Sequence, residues 1–131
     1  MTGEEIDILI VDDDMDIRQM MQSILKFHGY KVQVCADPEQ MYKSMKKGTP
    51  ALILMDMLLS GFDGREVCKN LKSSADTKKI PVLMISAHPD AERTCKQAGA
   101  DSFLEKPFDI ETFLNKVNAL LLSEVHSATD K

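Results

Sequence analysis

The chain has no apolar run approaching the ~20 residues that a membrane-spanning helix needs. It also lacks an excess of basic charge. Against 21 Asp and Glu stand 16 Lys and Arg, a formal net charge of −5, which gives no electrostatic footprint for nucleic acid or for an anionic membrane surface. There is no CxxC and no Cys/His cluster at zinc-ligand spacing. The 3 cysteines, Cys35, Cys68 and Cys95, are odd in number and far apart, as reduced cysteines packed as small apolar residues would be. His28, His88 and His126 are scattered, with no partner suggesting catalysis or a metal. The polar start Met1-Thr2-Gly3-Glu4-Glu5 is not a signal peptide. A cytoplasmic protein is expected, with neither nucleic acid nor membrane as a direct partner.

What is present fits one domain of 131 residues. Two kinds of segment alternate. Ile6–Val11, Lys31–Cys35, Ala51–Met55, Val82–Ile85 and Ser102–Leu104 are short and rich in Val, Ile and Leu. The first, third and fourth are almost continuously apolar, which suits strands covered on both faces. The second alternates Val32 and Val34 with Lys31 and Gln33, as an edge strand does. Between them the apolar spacing is helical. Ile17, Met20, Met21, Ile24 and Leu25 form one stripe, which Gly29 stops. Asp37-Pro38-Glu39-Gln40 supplies an N-cap, a proline at the first helical position and an acceptor beyond it, for a helix ending near Gly48. Gly64–Ser73 is capped by Asp63, with Val67 and Leu71 inward, and a shorter helix spans Asp90–Ala98 before Gly99. The last begins at Asp109 and buries Ile110, Phe113, Leu114, Val117 and Leu121. The polar tail Ser123–Lys131 is expected to fray, as a natural terminus or the start of a linker. Met20, Met21, Met41, Met45, Met55 and Met84 fall at core positions and read as gap-filling side chains.

Strands alternating with helices predict an α/β fold, a single doubly wound (βα)5 domain. Its parallel five-stranded sheet has the common order 2-1-3-4-5. The chemistry-bearing residues follow this pattern. Asp12 and Asp13 come after the first strand, Asp56 after the third, Ser86 after the fourth and Lys106 after the fifth. All sit at carboxyl ends of strands, where open α/β sheets bind ligands, and the crevice between the first and third strands gathers the three acids. Carboxylates so close repel unless a cation sits among them or protons are taken up. Mg²⁺, a hard cation that keeps positions for water or phosphate oxygens, suits such a set, with Mn²⁺ as a substitute. Asp56 is then a nucleophile for in-line attack on phosphorus, while Lys106 and the Ser86 hydroxyl hold phosphoryl oxygens.

Four motifs in order carry a family resemblance. They are Ile8-Leu9-Ile10-Val11-Asp12-Asp13-Asp14, Leu54-Met55-Asp56-Met57-Leu58-Leu59-Ser60-Gly61-Phe62-Asp63-Gly64, Pro81-Val82-Leu83-Met84-Ile85-Ser86-Ala87 and Gly99-Ala100-Asp101-Ser102-Phe103-Leu104-Glu105-Lys106-Pro107-Phe108. From about Ile6 to Leu122 the chain resembles the receiver domain of two-component response regulators, which has a flavodoxin-like fold. The resemblance implies a receiver over residues 1–122 followed by a tail, 123–131. Asp56 would be the phosphoacceptor, served by a histidine kinase or histidine phosphotransfer protein. Asp13, Asp56 and the Leu58 backbone carbonyl would ligate Mg²⁺, with Asp12 acting mainly through a coordinated water. Ser86 and Lys106 would bind the phosphoryl oxygens, Asp56 and Lys106 being the catalytic pair. Phe103 would be the switch aromatic, and the Lys106-Pro107 bond is often cis in this family. Such a domain is not an enzyme on other substrates; it catalyses only its own phosphorylation and dephosphorylation. Its output would be binding of a downstream protein, onward phosphotransfer, or a homodimer through the last helix and the fourth-helix face.

Two positions depart from the family's common pattern. Ser60 stands in place of the usual Pro, which implies a more mobile loop, and Phe103 replaces the frequent Tyr and loses its hydroxyl. Leu58 and His88 flank the pocket mouth, and Leu58 is read as hindering the water that would hydrolyse an acyl phosphate. Competing readings fit less well. A haloacid-dehalogenase-type phosphatase needs DxDx[TV] after the first strand, whereas Asp12-Asp13-Asp14-Met15-Asp16 lacks the Thr or Val, and no cap domain fits. An EF-hand fails because Ile17 and Ser23 occupy the positions needing Gly and Glu. A receiver-like module that never uses phosphate stays open, although Asp13, Asp56, Ser86 and Lys106 argue against it.

Overall fold

A computed structural model describes residues 6–129. Strand and helix alternate as β1 (Ile8–Val11), α1 (Met15–Phe27), β2 (Val32–Cys35), α2 (Pro38–Met45), β3 (Leu52–Asp56), β4 (Leu58–Leu59), β5 (Phe62–Asp63), α3 (Gly64–Ser73), β6 (Val82–Ser86), α4 (Ala91–Gln97), β7 (Ser102–Glu105) and α5 (Ile110–Thr129). A parallel five-stranded sheet has the order β2-β1-β3-β6-β7. This is the flavodoxin-like order 2-1-3-4-5 once β4 and β5 are set apart. Those two form an antiparallel hairpin that apolar periodicity does not announce.

Alternation along the strands divides the core. Leu9, Val11, Ile53, Met55, Val82 and Met84 point to one face, where Met41 of α2, Val67 and Leu71 of α3 and Cys95 of α4 cover them. Ile8, Ile10, Leu52, Leu54, Leu83 and Ile85 point to the other, under Met21 and Leu25 of α1 and Phe113 and Val117 of α5. Both faces are thus dry, which is why β1, β3 and β6 read as unbroken apolar runs. The edge strand β2 leaves Gln33 exposed between half-buried Val32 and Val34.

The helix ends follow local chemistry. Asp14 accepts from the Asp16 and Ile17 amides, Asp37 from Gln40 and Asp63 from Arg65. Gln40 reaches back to the Ala36 amide at 2.9 Å. After α1 the Gly29 and Tyr30 amides donate to Lys26 and Leu25 carbonyls, and Gly29 takes φ of +92° to close this Schellman turn. All three cysteines are buried, and burial pushes each thiol up to about 11, as suits reduced apolar filler.

Several sequence expectations need correction. Met20 is 44 % exposed and Ile110 55 % exposed, because each lies off the line of contact between its helix and the sheet. Met45 and Leu121 are only half-buried. The helix expected to reach Gly48 ends at Met45, and the helix expected over Asp90–Ala98 is one residue shorter at each end, Ala91–Gln97. The helix α5 is Ile110–Thr129, and the His126 side chain and residues 130–131 lie outside the described residues. No helix among the described residues is long and apolar enough to cross a membrane.

Phe113 is fully buried and stacks on Phe108, ring centroids 5.3 Å apart, joining α5 to the loop that carries Lys106. Phe113→Ala is expected to cost about 3–5 kcal/mol in urea unfolding. A loss below about 1 kcal/mol would contradict this placement of α5.

Candidate functional site

The site forms where β1, β3, β6 and β7 end together. Register sets it: Val11 pairs with Met55, Asp56 with Ile85, and Ser86 with Glu105, so the residues leaving these strands emerge side by side. The Asp12 amide donates to the Cys35 carbonyl at 3.1 Å and the Met57 amide to Ile85 at 2.8 Å, which pins both acid-bearing loops to their neighbours. Gly64 lets the chain turn back close beneath Asp56. A Cβ at Gly64 would lie 2.5 Å from the Asp56 carbonyl oxygen.

Asp12, Asp13 and Asp56 each bring a carboxylate oxygen within 4.8 Å of the other two. Their environments differ. Asp12 is almost fully buried; its Oδ1 accepts from the Asp14 amide at 2.8 Å, while its buried Oδ2 has no hydrogen-bond partner among the described residues. Burial pushes its carboxyl up to about 6, against the Asp14 bond that opposes the shift. Asp56 is also buried, which raises its carboxyl, while Lys106 opposes the shift by donating from Nζ to Oδ1 at 3.0 Å. Asp13 is exposed and lies below the usual carboxylate range, held there first by the Ser60 side chain and further by the Ser60 amide, which donates to Oδ2 at 2.7 Å.

Lys106 is the only cation paired with these carboxylates among the described residues. Its Nζ bonds to Asp56 and lies 3.9 Å from the orphaned Asp12 oxygen. Its own amide donates to the Ser86 carbonyl at 2.9 Å, and the Lys106-Pro107 peptide is cis, as the family resemblance implies. Ser86 is buried; its Oγ accepts from the His88 amide at 3.0 Å, which leaves the hydroxyl proton free to donate. Phe103 is buried on β7, and Leu58, at the start of the hairpin, is 62 % exposed.

The structure therefore brings Asp12, Asp13, Asp56 and Lys106 into one cluster, with Ser86 tied to it through the Lys106 backbone. Three carboxylates against one ammonium leave an excess of negative charge, and a buried carboxylate oxygen lacks a donor. That donor set fits a hard divalent cation with oxygen ligands. Sequence reasoning missed two contacts. One is the Ser60 amide on Asp13, a backbone donor without a residue-type signature. The other is Arg65, which holds Asp63 through Nε at 2.9 Å and a second nitrogen at 2.7 Å and reaches Thr94 Oγ1 on α4 at 3.2 Å. An Asp two residues before an Arg hints only at a local pair, not at a link to α4.

Comparison with known proteins places this geometry. Residues 8–118 match the profile of the response regulator receiver domain. Response regulator MprA of Mycolicibacterium vanbaalenii is 35 % identical over 116 residues, covering 87 % of this chain and 49 % of MprA. The chain spans about half the length of the curated relatives it matches. A putative response regulator from Chloroflexus aurantiacus superposes with TM-score 0.85 at 33 % identity, over 91 % of this chain and 99 % of that one. The chemotaxis response regulator CheY4 of Vibrio cholerae gives TM-score 0.81 at 29 % identity, over 89 % and 99 %. With its sheet order, its acid cluster and these matches, the chain belongs to the response regulator receiver domains, which accept a phosphoryl group on an aspartate in two-component phosphorelays.

Proposed function

We propose that Asp56 is the phosphoacceptor, receiving the group from a phosphohistidine on a histidine kinase or histidine phosphotransfer protein. The observation that carries this assignment is the bond from Lys106 Nζ to Asp56 Oδ1 within a cluster of three carboxylates. Asp56 alone combines a place at the end of a central strand, near-complete burial and a direct cationic partner. Its carboxylate attacks phosphorus as the partner's N–P bond breaks; the imidazole nitrogen keeps the electron pair and later takes a proton. Lys106 transfers its hydrogen bond from Asp56 to an arriving phosphoryl oxygen, and the Ser86 hydroxyl donates to another. Asp13, Asp56 and the Leu58 carbonyl would hold Mg²⁺, with Asp12 through a water, and Mn²⁺ suits the same oxygen donors. When bound, the cation supplies neutralisation of the phosphoryl charge.

The output surface lies beside Phe103. A cavity lined by Pro89, Glu92, Phe103, Phe108, Thr112 and Lys116 opens between α4, β7 and α5. Movement of Ser86 toward the phosphate and of Phe103 in its wake would reshape this face for a downstream protein or a second copy of the chain. Residues 1–122 constitute the receiver in this reading.

Incubation with Mg²⁺ and a small acyl-phosphate donor is expected to give one labile phosphate by intact mass. Asp56→Asn is expected to give none; an equal adduct on this variant would overturn the assignment. Leu58, exposed at the pocket mouth, shields the acyl phosphate from water, so Leu58→Asn should lose its phosphate severalfold faster, and an unchanged or slower loss would refute the shielding role.

Asp12 gives a pH signature. Its carboxyl sits at about 6 in the folded chain, so folding favours the protonated form and stability falls as pH rises from about 4 to about 6. The penalty is absent below that window and complete above it. In the absence of divalent cations, Asp12→Asn is expected to exceed the native chain in stability near pH 8 by up to about 3 kcal/mol. The difference should vanish near pH 4 and shrink when Mg²⁺ is added to the native chain. Parallel pH profiles of native and variant chains in chemical denaturation would contradict this.

A further inference from the structure

The segment after Asp56 folds back on itself before α3 begins. Leu58 pairs with Asp63 and Leu59 with Phe62, leaving Ser60 and Gly61 to turn the corner. Gly61 has φ of +79°, while no non-glycine residue among those described has a positive φ. A positive φ at the third position after a negative φ at the second matches the φ pattern of a type II turn. The N–H at the second position of such a turn takes no part in the turn's own hydrogen bond, and proline is favoured there. This chain has Ser60 at that position and so keeps a free donor. The Ser60 amide spends it on Asp13 Oδ2, at 2.7 Å and 47 residues away in sequence.

Asp13 has the most solvent contact of the three clustered acids, and a carboxylate in that position would rotate freely without a partner. A short, charge-assisted bond to one oxygen fixes the carboxylate plane and leaves the lone pairs of the other oxygen for a cation. The same bond reaches across the cleft. It joins the loop after β1 to the hairpin that begins at Leu58, two segments that would both contribute to the cation site.

We propose that Ser60 is a positioning residue for the divalent-cation site, its backbone amide orienting Asp13 and latching the β4–β5 hairpin across the carboxylate cluster. This rests on the reading of Asp12, Asp13 and Asp56 as the cation site. A serine in place of proline thus does more here than loosen a loop: it trades a stiff turn for a donor.

Two substitutions separate the donors. Ser60→Pro suits the type II turn but removes amide proton and hydroxyl together, whereas Ser60→Ala removes the hydroxyl alone. Mn²⁺ binding to the phosphate-free chain, followed by electron paramagnetic resonance, should weaken about tenfold in Ser60→Pro, the scale at which partners of metal ligands act. Ser60→Ala should stay closer to the native chain. Native-like binding by Ser60→Pro would overturn the proposal and leave the cation site standing, and equal losses in both variants would overturn the role of the amide. A native chain that binds no Mn²⁺ would overturn the site and the proposal together. A second measurement does not depend on the proline variant folding. In the cation-free native chain the Ser60 amide should be protected from hydrogen exchange, and Asp13→Ala should remove that protection. Fast exchange in the native chain, or the same protection in Asp13→Ala, would also overturn it.

Discussion

The pairing of Lys106 with Asp56 is the contact on which the rest of the site is balanced. Two buried acids and one exposed acid meet at one edge of the sheet, and among the described residues a single ammonium group is bonded to them. Burying a charge costs several kcal/mol unless it is paired, so this edge can be assembled only because Lys106 is delivered to it. The delivery is architectural. The Lys106 amide is bonded to Ser86 at the end of β6, β7 is in register with β6, and Phe108 behind the lysine is stacked on the buried Phe113. The packing of α5 therefore bears on electrostatics at the opposite end of its own loop.

The remaining imbalance is what makes the site useful. Lys106 does not satisfy Asp12, whose inner oxygen stays without a donor, and the raised carboxyl of Asp12 measures the cost of leaving it so. A protein selected for stability alone would place an amide there. Retaining the charge leaves an oxygen that would suit a cation or its water, and in the proposed reading a bound cation would free Lys106 for an incoming phosphoryl group. The unpartnered charge at the sheet edge costs stability, and the dry core on both faces of the sheet offsets that cost.

The hairpin after Asp56 adds contacts on both of its flanks. On one side Ser60 holds Asp13; on the other Asp63, clamped by Arg65, is linked to Thr94 in α4. The two-stranded unit thus stands between the acid cluster and the helix that borders the Phe103 cavity.

Much of this was legible in the sequence. Apolar runs at β1, β3 and β6 announced strands buried on both faces, caps at Asp37 and Asp63 announced helix starts, and the placement of Asp12, Asp13, Asp56, Ser86 and Lys106 at the ends of four strands announced one shared edge. These features are local, set by side-chain periodicity and by short-range hydrogen bonding, so composition and spacing carry them. The tertiary structure decided what depends on distance through space. It exposed Met20 and Ile110, which share a helical stripe with buried residues but miss the sheet, and it left Asp12 rather than Asp13 with the raised carboxyl, because burial follows from packing and not from residue type. It also supplied the Ser60 bond to Asp13. A backbone amide is the same in every residue but proline, so only the fold could say where that donor points.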